Sequence, residues 1–425
     1  MQIAYIRVMK NEVFISIYLD TRRSKSNGKY PVKLRVFTTN PRVQKLYPTK
    51  YEYTDKEFDS IWNTLKPRKE FKHHRKQLLD IEDNATEISK EMEYFDFTLF
   101  EKKYFRNNGE GSDVFYHYGK TIESLIKYKQ LGTASNYRLS EKSIKKYLKD
   151  KTGKEIDKLH FKEITINWLK DYESYMVDAN NRSYTTVSMY LRALRTLFNN
   201  AIKDKDIEST IYPFGDGKYV IPASQNIKKA LSKADLKSLF HSKPLTPEQE
   251  KAKDFWFFSY ACNGMNIKDI ALLKWGNIKG ETIEFYRSKT KNTSKSKLKP
   301  VQIILNDFTK QTIEKYGSSN KERDQLIFPF IMNGKSDLEN FNKIKNFTKF
   351  INQNLKKLAI SNGITGDIST YWARHSFATN AVRLGASMEF VSEALSHNNL
   401  KTTQSYFAGF EEDSKIEIME KLMAF

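Results

Sequence analysis

YWARHSFATNAVRLGASMEFVSEALSHNNLKTTQSY, residues 371–406, is the stretch that decides how this chain reads. Phe377, Ala381 and Leu384 recur at helical spacing, the mark of a core-facing helix. Gly385 is a natural helix stop, and Ser387 a natural cap for a second helix. Two Asn and two Thr between His397 and Tyr406 then mark a turn and a third helix start. Arg374 is thus expected near the N-terminal end of a buried helix, His397 just past the end of the next, and Tyr406 on the third. Tight turns between short helices can bring the three side chains together.

That trio suits attack on a phosphodiester. A tyrosine with a pKa of about 10 is a poor nucleophile at neutral pH. It needs a proton acceptor or nearby positive charge. An arginine forks onto non-bridging phosphate oxygens and stabilises the charge growing there. A histidine donates to the same oxygens or shuttles a proton. Cations doing this work make a metal or cofactor unnecessary, and none is expected.

Composition points the same way. The 425 residues include 72 Lys plus Arg against 51 Asp plus Glu, a net charge of +21 spread along the chain. Such a spread suggests a broad surface for a polyanion. Hydrophobic residues make up 39% and aromatics 13%, enough for real cores. A single cysteine, Cys262, excludes an internal disulfide framework and Cys-based metal clusters. No apolar run approaches the roughly 18–20 residues of a membrane helix, and the start lacks a signal-peptide pattern. A cytoplasmic protein without membrane partners is expected.

Upstream, VFISIYL (13–19), VKLRVF (32–37) and QKLYPTKYEY (44–53) read as strands. In the second, Val32, Leu34 and Val36 share one face, and Lys33 and Arg35 the other. A small sheet with a basic open face suits contact with a DNA backbone, although a plain solvated face fits too. TDKE (54–57) is a capping box that starts a helix at Thr54. Residues 66 to about 105 read as a charged helical connector, and NNGEGSD (107–113) as a linker. Four helices follow between 113 and 207. In the last, Val187, Tyr190, Leu191, Leu194, Leu197 and Phe198 form an apolar stripe, with Arg192 and Arg195 off it, facing phosphate or water. IYPFGDGKYVIPAS (211–224) is the next linker. Ser232 and Thr246 are helix caps, and TIEFYRSK (282–289) pairs with PVQIIL (300–305) across a Lys-rich turn.

R-H-S-F-A-T, then L-S-H about twenty residues on, then a tyrosine nine residues after that histidine, closely resembles the tyrosine recombinase (phage integrase) family. The likeness in layout extends from about 110 to the end of the chain, and the N-terminal β segment resembles arm-site-binding domains of mobile-element integrases. The whole resembles integrases of Bacteroidetes phages and conjugative elements. The resemblance implies a mainly α, multidomain fold. Its parts are a small β-rich arm-site domain (1–65), a helical connector (66–108) and a helical SAM-like core-binding domain (109–208). A linker (209–228) leads to a mixed α/β, mostly α catalytic domain with a C-terminal tail (229–425). It implies a site-specific recombinase acting through a 3′-phosphotyrosine at Tyr406, without ATP. Arg374 becomes the second catalytic arginine and His397 the histidine of the second box. Lys289 becomes the general acid for the 5′-oxygen, with Lys291 as runner-up.

Two positions depart from the family. The residue three before Arg374 is usually His and here is Tyr371, which hydrogen-bonds to phosphate but carries no positive charge. The first catalytic arginine normally sits in a motif like T-G-L-R-I-S-E-L, whereas NGMNIKDIALLKW (263–275) places Asn266 there. Asp269 matches the motif acid, as structural support. Period-two alternation puts Arg287 on the face of Ile283, Phe285 and Lys289, so Arg287 either replaces the missing charge or only touches the DNA backbone. His375 points about 100° from Arg374 on a helix and reads as support. Trp256, Trp275 and Trp372 read as core.

The partners implied are double-stranded attachment sites, core and arm, and a homotetramer on DNA. An excision factor and a host DNA-bending protein are implied as well. Ile416, Met419, Leu422 and Met423 give the tail an apolar helical face, expected to pack on a neighbouring protomer. A catalytically impaired DNA-binding relative, favoured by Asn266 and Tyr371, and a DNA invertase of the same family stay open.

Overall fold

The computed structural model describes residues 13–106, 110–223, 229–289, 299–331, 335–365, 367–397, 399–410 and 412–424. The chain divides into two compact units, the first holding residues up to 221 apart from 125–135, the second holding the rest. Lys291 lies outside the described residues.

The first unit opens with an antiparallel sheet, β1 (Val13–Leu19), β2 (Tyr30–Thr38) and β3 (Val43–Tyr53), with β2 central. Alternation decides its faces: Val32, Leu34 and Val36 are fully buried, and Lys33 and Arg35 take the opposite face. Thr54 closes the capping box, accepting from the Glu57 amide while the Glu57 carboxylate accepts from the Thr54 amide, and α1 (Asp55–Phe58) follows. The stretch expected as one connecting helix is two, α2 (Lys72–Lys90) and α3 (Phe97–Tyr104). Asp96 caps the second by accepting from the Leu99 amide. The break turns the chain so that Leu78, Ala85 and Phe100 share one core with the buried face of the sheet. Beyond it lie α4 (Val114–Lys127), α5 (Leu131–Thr152), α6 (Ile166–Ser174) and α7 (Tyr184–Lys203). The stripe of α7 is buried at Val187, Leu191, Leu194, Leu197 and Phe198, and Arg192 and Arg195 are exposed.

The second unit is built around α9 (Pro247–Ala261), preceded by α8 (Lys233–His241), with Ser232 and Thr246 as N-caps. Phe255, Trp256, Phe257 and Phe258 are all buried, so the C-terminal half of α9 is enclosed on every side and central to its unit. Then come α10 (Ile267–Ala271) and the antiparallel sheet β4 (Ile278–Lys279), β5 (Thr282–Phe285) and β6 (Val301–Ile304). The helices α11 (Asp307–Tyr316), α12 (Asp337–Ser361) and α13 (Thr370–Arg383) pack on α9. The chain ends with α14 (Met388–Ala394), α15 (Leu400–Gln404) and α16 (Glu412–Leu422). Trp256 donates to the Ser369 carbonyl at 3.0 Å, tying α9 to the start of α13. Trp275 and Trp372 pack, partly buried, against the same core.

Two further sequence expectations are corrected. Strand β5 stops at Phe285 because its partner β6 supplies only the pairs 282–304 to 285–301. Arg287 and Lys289 therefore leave the ladder, and the Ser288 amide goes to the Asp269 carboxylate at 2.9 Å. Tyr406 does not sit on the third helix but in the turn just after α15, its amide bonded to the Thr403 carbonyl. Among the described residues no helix is long and apolar enough to cross a membrane.

Candidate active site

Arg374 is 7% exposed and spends its fork on backbone. Nη1 donates to the Gly264 carbonyl at 3.1 Å, and Nη2 to the Leu395 carbonyl at 2.5 Å. The first acceptor exists because Asn263 and Gly264 are both left-handed, with φ of 55° and 65°, which turns the chain sharply between α9 and α10. Gly264 lies against α13 so closely that a Cβ there would stand 2.5 Å from the Arg374 Cα.

His397 completes the hold. Its Nε2 lies 3.2 Å from Arg374 Nη2, which can only donate, so Nε2 is the acceptor. The ring proton is then on Nδ1, which donates to the Thr403 hydroxyl at 3.0 Å. Burial, then the charges of Arg374, Arg287 and Lys289, push the imidazole down to about 3, so it is neutral at physiological pH.

Arg287 arrives at the same place from β5. Its Nη1 donates to the Leu395 carbonyl at 3.0 Å and to Ser396 at 3.3 Å. One carbonyl, that of Leu395, thus accepts from two guanidiniums. Burial, then the charge of Arg287, pulls Arg374 down to about 10. Two like charges held this close favour an anion between or beside them.

Tyr406 stands over this cluster. Its ring stacks on His375, centroids 4.4 Å apart, and lies 5.1 Å from the His397 ring and 5.7 Å from the Arg374 guanidinium. Its hydroxyl is 2.8 Å from that of Tyr371. Tyr371, His375, Thr379 and Arg383 recur every four residues on one face of α13. Thr379 donates to the Tyr406 carbonyl at 3.2 Å and accepts from the Ala408 amide at 3.1 Å, while Arg383 donates to the Gly409 carbonyl at 2.9 Å. One helix face therefore seats residues 406–409 as a strap.

Asn266 is exposed and caps α10, accepting from the Lys268 amide at 2.9 Å. Its carbonyl oxygen is thereby occupied, and it brings no charge to the arginine pair. Lys289 is exposed at the end of the described segment, close enough to depress His397 electrostatically. Elsewhere, Arg192 and Arg195 line a surface pocket of about 440 Å³ with Gly215, Asp216 and Tyr219. Lys33 is ion-paired with Asp20 at 2.7 Å, and the Asp20 carboxyl is held far below its usual range by Arg22 and Lys33. Arg35 donates to the Ser16 hydroxyl at 3.0 Å and lies over the Tyr18 ring.

The carbonyls of Gly264 and Leu395, the Thr403 hydroxyl and the strap contacts of Thr379 and Arg383 were not read from sequence. The four-residue spacing of 371, 375, 379 and 383 was the available signal.

The family described as phage integrase SAM-like domain matches residues 113–221, and that described as phage integrase family matches 229–412. Tyrosine recombinase XerC of Pediococcus pentosaceus is 24% identical over 318 residues, 67% of this chain and 93% of that protein. A tyrosine recombinase of Thermosipho africanus is 24% identical over 310 residues, 71% of this chain and 99% of that protein. Among solved structures, the Tn1549 transposon integrase in complex with transposon right end DNA aligns with 73% of this chain and 100% of its own, at 16% identity and a TM-score of 0.47. With two adjoining family matches spanning 113–221 and 229–412, the chain belongs to the tyrosine recombinase (phage integrase) family of site-specific DNA recombinases.

Proposed function

We propose that this recombinase integrates and excises a mobile element by cutting and rejoining double-stranded attachment sites through a 3′-phosphotyrosine at Tyr406. One observation carries the reading: the Tyr406 ring lies 5.7 Å from the guanidinium of Arg374, which shares the Leu395 carbonyl with that of Arg287. The scissile phosphate would sit against that pair. Tyr406 Oη forms the bond to phosphorus as the bond from phosphorus to O5′ breaks. The phenol proton leaves to solvent, while His397, accepting from Arg374 and donating to Thr403, holds the guanidinium in place. The O5′ leaving group takes a proton from Lys289. The 5′-hydroxyl of the second duplex reverses the step, so bond energy is kept and no ATP enters.

Arg192, Arg195 and the basic face of the N-terminal sheet would meet the DNA backbone, making affinity fall steeply with salt. Lys33 contributes least, because its ammonium is already paired with the Asp20 carboxylate, which it shares with Arg22. Core and arm sites, an excision factor and a DNA-bending protein are the partners that go with this reading.

The C-terminal face supports a tetramer. Ile416, Met419, Leu422 and Met423 are each more than half exposed, and burying one such side chain is worth about 1.5–3 kcal/mol. A chain ending at Ser414 is expected to bind one site normally and form paired-site complexes more than about tenfold less well. Equal assembly of the shortened chain in a gel-shift titration would show that the tail packs in cis.

The function is tested with a plasmid carrying, in direct orientation, two copies of a candidate attachment site, sought as a direct repeat beside the gene. Wild type should release a circle with one repeat, and Tyr406→Phe should release none. Inversion between inverted copies with no release from direct copies would assign the invertase role instead.

A further inference from the structure

The family position three before the second arginine is held by a phenol. It faces the tyrosine of the strap. Resting on the assignment of Tyr406 as nucleophile, we infer that Tyr371 is the hydrogen-bond donor to the nucleophilic oxygen, steadying the phenolate that develops as Tyr406 attacks phosphorus.

The geometry pairs the two phenols directly. The two hydroxyl oxygens are 2.8 Å apart, a normal distance for an O–H···O bond. Both rings are fixed by the same residue. His375 stacks on Tyr406 and meets the Tyr371 ring edge to face, with centroids 4.7 Å apart. Tyr371 and His375 lie one turn apart on α13, and the strap bonds of Thr379 and Arg383 fix the depth at which Tyr406 enters. The hydroxyl pair is thus determined from both sides before any DNA is present.

The direction of the bond follows from the surroundings. Burial and the facing Tyr406 hydroxyl push the Tyr371 phenol up, so Tyr371 keeps its proton. Tyr406 is the one that must lose its own on forming the bond to phosphorus. A neutral phenol 2.8 Å away donates to the resulting charge and takes no net proton. The other charged or titratable groups facing the pair are Arg374 and His375 from α13, His397 from the turn after α14, and Arg287 from the segment after β5. Of these, His375 and His397 are both pushed towards the neutral form by burial. Arg374, pulled down to about 10, keeps its charge near neutrality. Arg374 also hydrogen-bonds to Tyr406, so the phenol oxygen has one cationic and one neutral partner.

The test is single-turnover cleavage of a nicked attachment-site duplex at saturating enzyme, followed against pH for wild type and Tyr371→Phe. The substitution deletes one half-exposed oxygen and keeps the ring that packs on His375, so the fold is retained; a thermal melt checks this. The variant is expected to cleave about ten- to a hundredfold more slowly near neutrality. Its rising limb should shift to alkaline pH by about one unit or more, so that the deficit shrinks as pH rises. The deficit should persist on a substrate with sulfur at the 5′-bridging position, because that substitution relieves only the leaving group. An equal deficit at every pH would mean that Tyr371 serves the phosphate or the packing, and would overturn the inference. So would recovery on the sulfur substrate, or no deficit at all. Failure of the wild type to form an adduct at Tyr406 would remove the nucleophile assignment itself, a separate result read in the same gel.

Discussion

Arg287→Ala is expected to slow single-turnover cleavage by about 10²–10³-fold, the usual loss when one preorganised donor to a developing anion is removed. The position normally expected to supply a first arginine is Asn266, which is exposed, uncharged and engaged in capping α10. Arg287 instead reaches the Leu395 carbonyl at 3.0 Å, where Arg374 also binds. Removing it leaves Arg374 alone to neutralise the phosphate. The Leu395 carbonyl still has its bond from Arg374, so the turn before His397 should keep its shape and the protein should fold. Arg287→Lys should recover only part of the rate, because an ammonium restores charge without the planar fork. The measurement is adduct formation at saturating enzyme beside a gel shift for affinity. Cleavage by Arg287→Ala at the wild-type rate would leave Arg287 as a backbone contact only.

Gly264→Ala is expected to be the most damaging single methyl addition near the site. The residue has φ of 65°, and a Cβ would stand 2.5 Å from the Arg374 Cα and 2.8 Å from its Cβ. The left-handed backbone costs an L-residue about 1–2 kcal/mol. Forcing α13 away costs about 1–3 kcal/mol more. Together these are a large share of the roughly 5–15 kcal/mol that holds a domain folded. The same shift moves the carbonyl that accepts from Arg374 Nη1. Misplacing a guanidinium by about 1 Å is enough for a loss of about 10² in rate. A thermal melt should show the lost stability, and cleavage by the folded fraction should show the second effect. An unchanged melting temperature and rate would mean that the contact between α13 and the turn at 263–264 is loose.

Much of this was legible in the residues. The alternation of Val32, Leu34 and Val36 gave the buried face of the first sheet, because strand periodicity is local. Thr54, Ser232 and Thr246 marked helix starts, because a cap is a bond between neighbours in sequence. Arg374, His397 and Tyr406 stood out by spacing and meet in the structure.

What was illegible depended on partners distant in the chain. Strand β5 reads on through Arg287 and Lys289, but the length of β6 ends it at Phe285. Arg287 still reaches the site, by a bond to the turn after α14 rather than by a strand face. Backbone carbonyls such as those of Gly264 and Leu395 carry no side-chain identity, so no motif announces them. The helix expected over 66–105 breaks at 91–96 because Phe100 has to return to the sheet. Lys33 looked like a phosphate contact, but its ammonium is paired with Asp20, thirteen residues earlier. Tyr371 looked like a weak phosphate ligand, and only the placement of the strap shows its hydroxyl beside that of Tyr406.

The most direct test of the account is a covalent one. A duplex nicked beside the candidate crossover phosphate would be incubated with wild type and with Tyr406→Phe, quenched in SDS and resolved by mass. The account predicts an SDS-resistant adduct with wild type alone, with the DNA joined through its 3′-phosphate to the peptide containing Tyr406. An adduct that survives Tyr406→Phe, or DNA attached to any other residue, would contradict it.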